Sequence, residues 1–199
     1  MKKLLVSLVA MLLAVPSFAQ FSSGGFELDK ESLYYGVRIG MTSASIGGDV
    51  SVGAKVGMTL AGVIGLRLSD STPVFIESGL YYTQRGAKEN GINVTHNNLE
   101  LPLLIKYGFK ASDNIAFLPF FGPYFAYAVS SNVKYNDNPN TELPHLNRNN
   151  MGFKLGCGAE YNKLYLEVGY QFAVTNILDS DTDASAHNNA FFANFGVNF

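Results

Sequence analysis

Three histidines, His96, His145 and His187, are the side chains of this sequence best suited to moving a proton or holding a metal near neutral pH. Each falls in a stretch rich in Asn, Asp, Ser and Gly, with the acids Asp137, Glu142, Asp179, Asp181 and Asp183 near them in sequence. Two or three of these groups converging would form a metal site, and a histidine beside a serine and an acid would form a nucleophilic constellation able to act on lipid A. The simpler reading is three solvated loop histidines. Asp179-Ser180-Asp181-Thr182-Asp183 resembles the start of a calcium loop, yet it lacks the glycine at the sixth position and the distant glutamate, so it reads as a solvated acidic loop. Cys157 is the only cysteine, which excludes an internal disulfide, and no Cys/His cluster has zinc-like spacing. No phosphate-cradling glycine motif or His-Glu-x-x-His pattern is present. The expectation is therefore no catalytic residue, no metal and no cofactor, with His96, His145 and His187 as the candidate loop site.

The elements that must position these residues are strands. Period-two alternation recurs near Tyr34–Thr42, Lys55–Ser69, Val74–Gln84, Asn98–Lys110, Ile115–Ser130, Met151–Tyr161, Lys163–Thr175 and Ala190–Phe199. In the seventh, Leu164, Leu166, Val168, Tyr170, Phe172 and Val174 share one face, and Tyr165, Glu167, Gly169, Gln171 and Thr175 take the other. The last strand alternates in the same way and ends the chain on Phe199, as the closing strand of an outer-membrane barrel does. Eight is an even number, as a closed antiparallel barrel of this kind needs. The connections alternate in length: 69–73, 110–114 and 161–163 are tight turns, whereas Ser43–Ala54, Arg85–Asn97, Ser131–Asn150 and Asn176–Asn189 read as long polar loops. Short turns belong on the periplasmic rim and long loops outside the cell. A soluble eight-stranded barrel would also alternate. The loop asymmetry, the terminal Phe199 and aromatics near strand ends (Tyr34, Tyr35, Tyr81, Tyr82, Tyr107, Phe109, Tyr127, Tyr161, Phe191 and Phe192) favour the membrane version.

If the apolar stripes face lipid, the opposite stripes place Arg38, Arg67, Glu77, Arg85, Glu100, Lys106, Lys154, Glu160 and Glu167 inside. Side chains just fill an eight-stranded barrel, so nearly balanced charge predicts a structural network of ion pairs rather than a pore. Glycines on the same stripes, among them Gly36, Gly65, Gly158 and Gly196, would make room for the long charged chains.

The start of the chain reads as an export signal. Met1-Lys2-Lys3 is a basic head, Leu4 to Val15 is an apolar run, and Ser17-Phe18-Ala19 presents small residues for cleavage after Ala19. The run is too short for a membrane helix. Cleavage would leave 12 basic against 16 acidic residues, a mild acidity that argues against nucleic acid as a partner. The expected organisation is a signal peptide at 1–19, a short periplasmic segment at 20–33 and a barrel over 34–199. The fold class is all-β: an eight-stranded antiparallel transmembrane β-barrel of OmpA/OmpX-like size.

Several stretches carry a family resemblance. Leu80-Tyr81-Tyr82-Thr83-Gln84-Arg85-Gly86-Ala87 precedes Asn98-Leu99-Glu100-Leu101-Pro102-Leu103-Leu104-Ile105-Lys106-Tyr107, then Gly122-Pro123-Tyr124, then Thr175-Asn176-Ile177. In this order they resemble the PorT-like outer-membrane β-barrel domain of Bacteroidetes. The first strand departs from that pattern, with Gly36-Val37-Arg38-Ile39-Gly40 where a lysine often occupies the middle position. The resemblance implies an outer-membrane location and, through some relatives, a link to type IX protein secretion; it implies no catalytic residues. Pro102 lacks a ladder donor and is expected at a bulge or strand irregularity where Glu100 can turn inward.

The reading is a non-enzymatic integral outer-membrane barrel with a filled lumen, in contact with outer-membrane lipid and with envelope or secretion proteins through its loops or rim. The competing readings are a lipid-A-modifying barrel enzyme using the loop histidines, a small transport barrel, and a soluble periplasmic carrier.

Overall fold

The computed structural model describes residues 33–48, 52–69, 71–89, 92–112, 114–135, 148–176 and 186–199. The expected signal peptide, its cleavage site, the segment up to Ser32, His145 and the acidic run Asp179–Asp183 lie outside the described residues. Nine strand segments follow in order: β1 (Leu33–Gly48), β2 (Val52–Arg67), β3 (Val74–Glu89), β4 (Ile92–Tyr107), β5 (Phe109–Ser112), β6 (Ile115–Tyr135), β7 (Asn149–Tyr161), β8 (Leu164–Ala173) and β9 (Ala186–Asn198).

Neighbouring staves pair antiparallel, β9 returns to β1, and β4 pairs with β6. β4 and β5 are two parts of one stave. They part at Gly108, whose N–H donates to the Pro73 carbonyl at 2.8 Å, and both pair with β6. The sheet is thus a closed barrel of eight antiparallel staves, as the alternation predicted. Closure gives the backbone groups of the wall hydrogen-bond partners and leaves no edge in the closed part.

Alternation sorts the side chains. Ile39, Met41, Met58, Leu60, Leu101, Ile105, Leu155 and Leu166 point outward and are each more than half exposed. Together with their neighbours they form a continuous apolar belt that suits hydrocarbon rather than water. Tyr35, Tyr107, Phe109, Tyr161 and Phe199 rim the belt at the short-turn end, and Tyr82, Phe125 and Tyr127 lie on it toward the other end. Cys157 is also outward and exposed.

Two expectations are corrected. Most of Ser43–Ala54 and Arg85–Asn97, expected as loops, is strand: β1 and β2 pair up to Ile46↔Val52, and β3 and β4 up to Glu89↔Ile92. Polar residues continue a ladder as well as apolar ones once the wall has left the apolar belt, because the backbone makes the bonds. Tyr34, Tyr81 and Phe192 are not rim aromatics; they are buried inside the barrel, and their sequence neighbours Tyr35, Tyr82 and Phe191 face out. Pro102 sits at the expected strand irregularity, which is a lapse in pairing and not a bulge. The β3–β4 register is the same on both sides of it, the pairing lapses only opposite Gly79 and Leu80, and the Ser78 hydroxyl donates to the Pro102 carbonyl at 2.7 Å. The register shift in β4 falls between Asn97 and Asn98, where the apolar exterior ends.

Candidate functional site: a lumen closed by two layers of ion pairs

The inward side chains meet in two layers. At the short-turn end Glu77 is the hub. Its Oε2 accepts a hydrogen bond from the Tyr34 hydroxyl at 2.6 Å and lies 3.5 Å from Arg38, and its Oε1 lies 2.8 Å from Lys106 Nζ. Lys106 also donates to the Tyr165 hydroxyl at 2.8 Å and stands 3.9 Å from Glu167. Asn194 donates to Glu167 at 2.8 Å; Arg38 donates to Asn198 at 2.6 Å, which in turn donates to Glu160 at 3.1 Å. The Arg38 guanidinium stacks 4.1 Å from the Tyr165 ring centroid. Staves β1, β3, β4, β7, β8 and β9 all contribute to this one layer, so it ties together parts of the wall that share no backbone ladder.

Glu100 is the hub of the second layer, nearer the other end. Arg85 and Lys154 both pair with it, and Gln171 donates to it at 3.1 Å. The Lys154 ammonium is 4.7 Å from the Tyr81 ring centroid and 5.1 Å from that of Phe192, and Arg85 is 5.5 Å from that of Tyr124. The first layer holds two cations and three acidic side chains, and the second holds two cations and one acidic side chain.

Glycine makes this filling sterically possible. A Cβ at Gly65 would enter the Tyr34 ring, one at Gly158 would meet Tyr165, and one at Gly196 would lie 2.7 Å from Arg38 Cδ. Arg38, Glu77, Glu100 and Lys106 each expose 1% or less of their surface. Side chains this deeply buried fill the narrow bore of an eight-stranded barrel, so the arrangement braces the wall instead of lining a passage.

Of the nine lumen charges read from the sequence, Arg38, Glu77, Arg85, Glu100, Lys106, Lys154, Glu160 and Glu167 are buried in these layers. Arg67 is not. It sits half-exposed at the short-turn rim, donating through Nε to the Ser69 carbonyl at 2.7 Å. Of the two described histidines, His96 on β4 and His187 on β9 sit four staves apart around the barrel and do not meet. His96, expected in a loop, is buried on β4, where its Nδ1 lies 2.8 Å from the Ser131 hydroxyl and its Nε2 has no hydrogen-bond partner among the described residues. This pair lies beyond the apolar exterior, which on β4 ends at Leu99. There, burial and the nearby charges of Arg85 and Lys55 lower the pKa of His96 and hold it neutral. His187 is on β9, opposite Gly47 of β1. Among the described residues no group of three His, Cys, Asp or Glu side chains could hold a metal. Sequence reasoning missed Tyr34, Tyr81, Tyr124, Asn194 and Asn198 as members of the layers; Tyr34 shares parity with Arg38 and Tyr81 with Glu77 and Arg85, and Asn194 and Asn198 alternate with the apolar stripe of β9, whereas β6 is apolar on both faces and gives no such signal for Tyr124.

A family model for the outer membrane protein beta-barrel domain matches residues 18–179. No curated protein matches the chain. Among solved structures, Neisserial surface protein A aligns with TM-score 0.52 and 15% identity over 85% of this chain and 100% of its own. The outer membrane protein OprG of Pseudomonas aeruginosa aligns with TM-score 0.51 and 12% identity over 87% and 99%. A major outer membrane protein of Thermus thermophilus aligns with TM-score 0.51 and 16% identity over 85% and 100%. At these identities the likeness is one of fold. With the closed barrel, the apolar belt and the matched domain in agreement, the chain belongs to the outer membrane protein beta-barrel domain family.

Proposed function

We propose that this barrel is a non-enzymatic component of the outer membrane that acts through the parts of its wall and rim standing outside the bilayer. The observation that carries the reading is the closed lumen: with two ion-pair layers across the bore, the protein offers its partners a surface rather than a passage. Short turns face the periplasm in barrels of this kind, which puts the tall ends of β3, β4 and β6 outside the cell. Export by a signal peptide cleaved after Ala19 completes the proposal; amino-terminal sequencing of the mature protein is expected to begin at Gln20.

The Leu-Glu-Leu-Pro-Leu-Leu run from Leu99 to Leu104 and the Gly122-Pro123-Tyr124 triplet support a finer reading: a PorT-like barrel of Bacteroidetes that works with envelope proteins, including those of type IX secretion. Crosslinking intact cells that carry a tagged copy, followed by detergent extraction and mass spectrometry, tests it. Recovery of a defined set of envelope or secretion proteins is the expected result, and recovery of the barrel alone would overturn the interaction reading. The hydrogen bond between His96 and Ser131 favours one second reading, a lipid-A-modifying enzyme, because a neutral imidazole beside a serine hydroxyl is the start of a nucleophilic pair. An unchanged lipid A profile in cells carrying His96→Ala would remove that reading.

A further inference from the structure

Pro102 on β4 and Pro123 on β6 stand inside the apolar belt, on neighbouring staves. A proline gives a ladder no N–H, so in a closed wall it leaves a defect. Beside Pro123 the β4–β6 pairing lapses at Leu103 and Leu104, between Pro102↔Tyr124 and Ile105↔Phe121, although the register is the same on both sides. Gly122 lets the two backbones close there, since a Cβ on it would enter the Leu103 carbonyl. On the outer face the defect is a groove. Pro123 is the short side chain among larger ones: Phe121 and Phe125 lie two residues away along β6, Phe153 is its partner on β7, and Leu103 stands across from it on β4. The Phe153 ring is stacked on that of Phe121, 5.6 Å between centroids. Leu101, Phe125, Met151 and Val174 form the next row toward the outer end, joined by the pairs Leu101↔Phe125 and Phe125↔Met151 and by the bond from Val174 N–H to the Met151 carbonyl at 2.8 Å. The groove between the rows holds about 450 Å³, the size of a small-molecule site, and its walls are almost wholly carbon. Every side chain that lines it is among the described residues.

We propose that this groove binds one acyl chain of lipid A, whose phosphate meets Arg148 at the membrane surface. The site lies within the bilayer and does not rest on the interaction reading above. Depth selects the leaflet. β6 starts at the short-turn, periplasmic end with Ile115, and Pro123 lies past Phe117 and Phe121 toward Tyr127, in the outer half of the belt, where lipid A takes the place of phospholipid. Lining selects the chain, because Leu101, Leu103, Phe125, Met151, Phe153 and Val174 offer carbon and no polar side chain. Shape selects a single chain: the dent is one side chain wide in a convex wall, and a second barrel would bring another convex wall that cannot follow it in. Charge selects the headgroup. Arg148 is exposed three residues before Met151, roughly 10 Å farther out along the strand direction, and beyond Tyr127 and Asn149, where the exterior turns polar. A cation at that height attracts a lipid phosphate.

Native mass spectrometry of the full-length mature protein, extracted from outer membranes in mild detergent, tests this by weighing what stays bound. The expected spectrum shows one lipid A adduct per barrel. Pro123→Phe and, separately, Val174→Phe fill the groove from two different staves, and each should lower the ratio of bound to empty barrel by at least about ten-fold. If one of them fails to fold by circular dichroism, the other carries the test. Arg148→Gln should lower the ratio by about five-fold, the share of one cation at an anionic surface. Ile39→Phe, on β1 across the barrel from β6, should leave it unchanged. Three results would overturn the proposal. A phospholipid mass in place of lipid A would give the groove to the wrong lipid. An absence of any adduct would mean that nothing is held there or that another part of the chain covers it. Lipid A masses that persist in both filled variants would be ordinary boundary lipid, bound all around the belt. None of these bears on the interaction reading, which fails instead on the absence of any crosslinked partner in cells.

Discussion

Replacing Glu100 with glutamine measures how dry and how closed the lumen is. Glu100 is fully buried, and it pairs with Arg85 and Lys154 while accepting a hydrogen bond from Gln171. Glutamine keeps the volume and one carbonyl acceptor but removes the charge that faces two cations. Breaking a buried pair by neutralising one partner costs about 3–5 kcal/mol, because the remaining charge stays out of water. Here two cations are left at once. Their ring contacts, with Tyr81 and Phe192 for Lys154 and Tyr124 for Arg85, persist and limit the loss. The expected cost is therefore at the lower end, about 3 kcal/mol, or roughly a hundred-fold in the folding constant. The chain has no tryptophan, so urea unfolding of the barrel refolded into lipid vesicles is best followed by circular dichroism. Adding Lys154→Met removes one orphaned cation and should restore part of the loss, a coupling of about 1 kcal/mol or more. A loss under about 1 kcal/mol for Glu100→Gln, no more than a surface carboxylate would show, refutes the reasoning: water would then reach the second layer.

Three further outcomes follow from the same geometry. In planar bilayers the refolded protein should show no single-channel steps, and a stable conductance would contradict the two closed layers. Gly158→Val pushes a side chain into Tyr165 and should cost about 1–3 kcal/mol, read as a lower urea midpoint; an unchanged midpoint would mean the ring has room to move. Val168→Arg, on the lipid face opposite Cys157, should cost about 2–4 kcal/mol in vesicles, whereas Asn132→Arg, exposed on β6 opposite Thr95, should cost about 0–1 kcal/mol. Equal costs at the two positions would place the bilayer elsewhere on the wall.

The part of this molecule legible in the sequence is the part that period two controls. Leu164 through Val174 show which residues face lipid without any knowledge of neighbours, because alternate side chains of a strand must take opposite faces. The same parity places Arg38, Glu77 and Glu100 inside. It also places Tyr34 and Tyr81 inside, and reading them as rim aromatics let residue type override position. His96 was misplaced for the complementary reason: a polar stretch reads as loop, although Asn90-Gly91, the pair favoured in a two-residue hairpin turn, sits between the paired residues Glu89 and Ile92 and marks continuing strands.

By itself, then, the sequence determined the strand count, the face of nearly every residue and the solvent each face must meet, since these follow from local alternation and hydrophobicity. Tertiary structure alone decided which charges meet. Tyr34, Arg38, Glu77 and Lys106 sit on three different staves, and only the stagger of those staves brings them around one carboxylate. It likewise decided that β7 and β8 end below their neighbours. Strand height depends on pairing across the sheet, and no single segment carries that information in its own pattern.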